Sequence, residues 1–316
     1  MKRPNCKFTV MLAVLMAACA SALTSCSDDE LGESIFSTDP VQRSEFDQWL
    51  VKNYTNPYNI RVIYRYVDYE TDQGYNLVPA DIENTKTMSI IMRHIWLDAY
   101  TEAMGGDSTF MKTYCPRIFQ YVGSGMYNSN GSMVLGVAEG GLKITLFRVN
   151  EIDAAHVHID SIRPFPDTNR VPLDLNYWYF WTMHHEFCHI LHQTKNYSTD
   201  FKLVSAGKYR TTDWVNVADA DAPAMGFVSG YACSEEREDF AEMYSFYVTH
   251  TETAWQELLE AGVVGDDTSG RDAILTKMAI MKEYFRTSWG LDMDRLRSIV
   301  LRRCGELSTM DLTKLN

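Results

Sequence analysis

The sequence predicts a single α+β domain, and three observations lead there. Short runs rich in β-branched and aromatic residues gather between residues 60 and 149. Helical periodicity dominates from residue 175 onward. No internal repeat or low-complexity tract divides the chain. Its 316 residues, 46% of them apolar, are enough to bury a sizeable core.

The elements follow in order. Asp39-Pro40 reads as an N-cap with proline at the first helical position, and Phe46, Trp49, Leu50 and Tyr54 continue at helical spacing. Ile60 to Tyr66 alternates like a strand. Pro79 to Met104 carries a long stripe (Ile82, Met88, Ile91, Met92, Ile95, Trp96, Ala99, Ala103) closed by Gly105-Gly106. Strands are expected over Ile118 to Val122, Ser132 to Ala138 and Leu142 to Val149, with Glu139-Gly140-Gly141 turning the last two into a hairpin. The six glycines between 123 and 141 read as turns, because neither GxGxxG nor a Lys-Ser/Thr ending accompanies them. Leu175 to Gln193 reads as a buried helix with Trp178, Trp181, Met183, Phe187 and Leu191 on its apolar face. Residues 195–230 form a long connection of the kind that usually carries function. Glu235 to Thr249 is a second helix, and two or three more reach to about Cys304.

The N-terminus reads as a targeting segment. Lys2, Arg3 and Lys7 precede an apolar run from Phe8 to Leu23, too short for a membrane span. Leu23-Thr24-Ser25-Cys26 resembles a bacterial lipobox, with Met16-Ala17-Ala18-Cys19 a weaker candidate and an ordinary secretory signal the plainer alternative. Ser27-Asp28-Asp29-Glu30 resembles the export signal of Bacteroidetes surface lipoproteins. The expected organisation is a signal peptide over 1–25, lipidation at Cys26, an acidic tether over 26–38 and one domain over 39–316. The expected location is the bacterial outer membrane, lipid-anchored and facing the exterior. Removing residues 1–25 takes three basic residues and no acid, lowering the formal charge from −13 to −16. So acidic a chain, with no basic stripe, is not a nucleic-acid binder. Cys115, Cys188, Cys233 and Cys304 show no disulfide framework and are expected to be mostly buried free thiols.

Four of the eight histidines fall within nine residues, in WTMHHEFCHILHQ. His185-Glu186-Phe187-Cys188-His189 is HExxH. On a helix, positions i and i+4 share a face, so both imidazoles can hold one Zn2+ ion. Glu186 lies at the edge of that face, where it reaches a water activated by the metal and acts as general base. A chance copy would more often lie on an exposed, charged helix, whereas this one is embedded among apolar residues. His184 is rotated by about 100° and cannot join the face. His192 reads as a C-terminal histidine favoured by the helix dipole, with a place beside the site as the alternative. In the acidic run Glu235 to Glu242, Glu235, Glu236 and Asp239 read as solvated charge. Glu238 and Glu242 share one side of an amphipathic helix and are the candidates for a third ligand, with Glu235 behind them.

HEFCH together with SGYACSEEREDFAEMYSFY resembles gluzincin metallopeptidases whose second helix reads E-x-x-A-E, and is similar to the catalytic domain of anthrax lethal factor. That resemblance implies a zincin-like fold, a small mixed sheet packed on the HExxH helix, with a helical C-terminal part. It implies Glu238 as the third metal ligand, Glu242 as the residue that orients His185 or His189, and Tyr231 as the group serving the transition state. NPYNIRVIYRY, LGVAEGGLKITLFRVN, HEFCHILHQ, GFVSGYA and EDFAEMYSFYV resemble the zinc-binding metallopeptidase lipoproteins of Bacteroidetes, associated with outer-membrane substrate import. Implied are amide hydrolysis in a protein, peptide or glycopeptide, and an outer-membrane import complex as partner. One strand of 132–149 would be the sheet edge above the active-site helix, open to an extended peptide. A zinc-retaining binding lipoprotein and a zinc hydrolase of a non-peptide bond are the rival readings.

Overall fold

A computed structural model describes residues 42–67, 74–127, 133–134, 136–139, 141–165, 167 and 171–315. The chain divides into two units, Met1–Arg43 and Ser44–Asn316. Cys26, the tether and Asp39-Pro40 lie outside the described residues. The first described helix, α1 (Glu45–Leu50), is started by Ser44. Ser44 Oγ accepts from Asp47 N–H, and Asp47 reaches back to Ser44 N–H, so a capping box satisfies two orphan donors. Phe46, Trp49, Leu50 and Tyr54 are buried as their spacing requires.

Strand β1 is only Arg61–Ile63. Helix α2 (Ile82–Met92) runs through a π turn at Arg93–Leu97 into α3 (Asp98–Ala103). Its stripe from Met88 to Ala103 is buried, while Ile82 is exposed. Gly105 and Gly106 then take φ of 81° and 93°, where a Cβ would be strained, and end the helix. After α4 (Thr109–Tyr114) come β2 (Ile118–Tyr121), the small antiparallel pair β3 (Met126–Tyr127) and β4 (Met133–Val134), then β5 (Gly136–Glu139) and β6 (Lys143–Leu146).

The main sheet has the order β1-β2-β6-β5. β1, β2 and β6 are parallel, and β5 folds back antiparallel on β6 with Glu139 opposite Lys143, as the expected hairpin demands. Among the described residues β5 is therefore an edge. Gly141, at φ 72°, closes the hairpin directly over the next helix, where a Cβ would lie 3.1 Å from Ile190 Cγ1.

That helix, α5 (Trp181–Thr194), is entered through a π turn at Asn176–Phe180. Phe187 anchors its inner face, edge-on to Trp96, Tyr100 and Phe110. The 195–230 connection holds the short helices α6 (Asp200–Val204) and α7 (Ala222–Met225). Helix α8 (Glu236–Thr249) packs along α5, and α9 (Glu252–Ala261), α10 (Ser269–Tyr284) and α11 (Met293–Glu306) complete the helical C-terminal part. The four cysteines are free thiols, with Cys115, Cys188 and Cys233 buried and Cys304 partly so. Among the described residues, no helix is long and apolar enough to cross a membrane.

Candidate metal centre

α5 and α8 lie against each other, and their facing sides carry the polar groups the sequence singles out. His185 Nε2 and His189 Nε2 stand 3.0 Å apart, one helical turn from each other on α5. Glu238 Oε2, from the first turn of α8, is 3.0 Å from the former and 3.2 Å from the latter. Their other ring nitrogens are directed elsewhere. His185 Nδ1 lies 2.8 Å from Glu242 Oε1, somewhat off the ideal hydrogen-bond line, and His189 Nδ1 lies 2.8 Å from His192 Nε2.

This arrangement fits zinc. Two imidazole nitrogens and a carboxylate oxygen converge within 3.2 Å, an arrangement that holds together only with positive charge among them, a proton in the metal-free chain or a bound cation. Two imidazoles and a carboxylate are a zinc donor set, and bonds of about 2.0–2.1 Å put tetrahedral ligand atoms about 3.3 Å apart. The pocket's electrostatics point the same way. In the metal-free chain burial disfavours a charged His185, but Glu238 and Glu242 outweigh it and lift the imidazole to about 10. Burial pushes the Glu238 carboxyl up, and the hydrogen bonds of His185 and His189 reverse this, holding it far below the usual carboxylate range. The site is built to keep a positive charge.

Glu242 is buried, and both its oxygens are used. Oε1 accepts from Trp181 Nε1 at 3.1 Å, and Oε2 accepts from Ser229 Oγ at 2.6 Å. Ser229 Oγ in turn accepts from Ala232 N–H, on the turn that carries Tyr231. Gly230, between them, donates its N–H to Asp219 and passes so close to Val217 that a Cβ would lie 2.2 Å from Val217 O. The end of the long connection is thus wired to α5 through Glu242. Tyr231 is 38% exposed, with its ring 6.0 Å from that of His185. Burial and the nearby Glu238 carboxylate raise its phenol. Glu186 is half-buried beside the pair of imidazoles, and burial raises its carboxyl against their pull.

Two expectations are corrected here. His192 is not a dipole cap. It is buried, flanked by Tyr197 and Phe240, and burial pushes it down to about 4, so it is neutral and faces His189 instead. Its position three residues past His189 was the readable signal. Asp239 is not solvated. It is fully buried, paired with the equally buried Lys277 at 2.7 and 2.9 Å and accepting from Tyr209 Oη at 2.9 Å. Its partner lies 38 residues away, which spacing cannot announce. Glu235 is exposed and serves as the N-cap residue of α8, so it is no ligand. His184 is buried against Tyr100 Oη, 2.9 Å from its Nδ1 and off the metal face, as its rotation requires.

A mixed sheet above a helix bearing HExxH, with a carboxylate delivered by a second helix, defines the zincin-like class of metallopeptidase fold. The family described as "Putative zinc-binding metallo-peptidase" matches residues 39–294, and the chain belongs to it. A crystal structure from Bacteroides caccae, described as a putative zinc-binding metallo-peptidase, is similar at 36% identity with a TM-score of 0.70, covering 90% of this chain and 100% of that one. No protein of curated function matches the chain.

Proposed function

We propose that the protein is a zinc-dependent metallopeptidase of gluzincin type that hydrolyses amide bonds in proteins, peptides or glycopeptides. His185, His189 and Glu238 would hold one zinc ion. The observation that carries this reading is the triangle of donor atoms, 3.0–3.2 Å on a side, assembled from two helices. Zinc, when bound, supplies Lewis acidity and lowers the pKa of water toward neutrality. The remaining work falls to the chain. Glu186 takes the proton of the attacking water and passes it to the leaving amine. Tyr231, on the turn tied to Glu242 through Ser229, donates a hydrogen bond to the developing oxyanion. Glu242 and His192 orient the two imidazoles through their Nδ1 atoms. The edge strand β5, one arm of the hairpin whose turn lies over Ile190, receives an extended substrate by main-chain hydrogen bonds.

We further propose that Cys26 carries lipid and anchors the domain to the outer membrane, facing the exterior and serving an import system. The lipobox-like Leu23-Thr24-Ser25-Cys26 and the acidic residues behind it support this. Glu186→Gln tests the chemistry. The variant should retain one equivalent of zinc and lose hydrolysis of a mixed peptide library, whereas undiminished hydrolysis would refute the assignment of the base.

A further inference from the structure

A second group of ligand-type side chains lies away from the HExxH pair. His158, Asp160 and Asp174 each offer one nitrogen or oxygen within 4.8 Å of those offered by the other two. Two short segments bring them together: His158 bridges to Asp174 in parallel, and Leu175 N–H donates to His158 O at 2.9 Å. Asp160 and Asp174 are only 4% and 2% exposed.

The polar accounting does not close. Asp174 Oδ1 accepts from Asp160 N–H at 2.9 Å and from Asn176 N–H at 3.0 Å. Asp160 Oδ1 accepts from Ile162 and Arg163 N–H, each at 3.2 Å, and its Oδ2 pairs with the Arg163 guanidinium. Asp174 Oδ2, His158 Nε2 and Asn176 Oδ1 remain buried with no hydrogen-bond partner. Buried polar atoms are rarely left so, because each forfeits its hydration. Arg163 offsets one of the two carboxylate charges. A carboxylate oxygen and an imidazole nitrogen are ligands that a divalent cation uses.

We propose that His158 and Asp174, beside the Arg163-paired Asp160, form a second divalent-cation site, separate from the HExxH centre. The imidazole favours zinc, and the carboxylate admits manganese, over calcium, which takes an all-oxygen shell. Its role is structural. Asn176 opens the π turn that leads into α5, and its Nδ2 donates to Asp160 O at 2.8 Å. Thr251 N–H, just past α8, donates to Ser161 O at 2.8 Å. An ion here would brace the entry to α5 against the end of α8.

The test uses the full chain with His185→Ala and His189→Ala, which isolates this site from the other. The protein is stripped with chelator and then loaded separately with Zn2+, Mn2+ or Ca2+, and metal content and melting temperature are measured. One equivalent of zinc or manganese should bind and raise the melting temperature. Both effects should vanish on adding Asp174→Asn or, at the half-buried and more tolerant position, His158→Gln. No bound equivalent of either ion, calcium binding alone, or an equivalent retained in both added variants would overturn the proposal. None of these results bears on the peptidase reading, whose two histidine ligands are absent from the test protein.

Discussion

Replacing Glu242 by glutamine separates the task of orienting a metal ligand from the task of being one. The buried carboxylate uses Oε1 for Trp181 Nε1 and His185 Nδ1, and Oε2 for Ser229 Oγ. Glutamine keeps the shape but has one acceptor oxygen where the carboxylate had two. With its oxygen on the Trp181 and His185 side, its amide N–H must reverse the direction of the Ser229 bond, and it loses the negative charge that makes His185 a better electron donor. Loss of such a partner typically weakens metal binding about 10–100-fold, or about 1.4–2.7 kcal/mol. The assay is zinc competition against a chromophoric chelator, with circular dichroism to verify the fold. Zinc should still bind with unchanged stoichiometry but about 10–100-fold more weakly. Affinity within twofold of the parent would refute the reasoning, because it would mean that the Glu242 contact does not hold the imidazole.

Two further outcomes concern stability. Lys277→Met leaves the fully buried Asp239 with Tyr209 alone, and urea unfolding should show a loss of about 3–5 kcal/mol. Adding Asp239→Asn should recover most of that loss, and a double variant as weak as the single one would contradict the account. At Asp47, burial pushes the carboxyl up, but hydrogen bonds from Tyr64, Ser44 and Arg65 prevail and hold it at about 2, below the ordinary 3.8. A depressed carboxyl stabilises fully above its unfolded value and loses that contribution as pH falls toward the folded one. Asp47→Asn should therefore cost about 1–2 kcal/mol at pH 6, with the gap closing between about pH 4 and 2. A gap independent of pH would show that the charge is not what stabilises the cap.

The α1 face, the stripe from Met88 to Ala103, the β5–β6 hairpin and both site helices were legible in the sequence because each expresses a local periodicity or a turn whose chemistry is contained within a few residues. Boundaries were less so. Ile60 to Tyr66 has strand composition throughout, yet only Arg61–Ile63 forms a strand against β2, although β2 runs on to Tyr121. The start of α1 was not read from the sequence: Ser44 caps it, with a reciprocal partner in Asp47.

By itself the sequence determined the pair of imidazoles, since i and i+4 share a helical face whatever the surroundings, and it placed Glu238 and Glu242 together on one side of a second helix. Only the tertiary structure decided which way that side faces. The packing of α8 on α5 sets Glu238 between the two Nε2 atoms and Glu242 behind His185, and it buries Asp239 against a lysine 38 residues away. A carboxylate's role depends on what displaces its water, and that neighbour comes from a distant part of the chain whose approach no local pattern encodes.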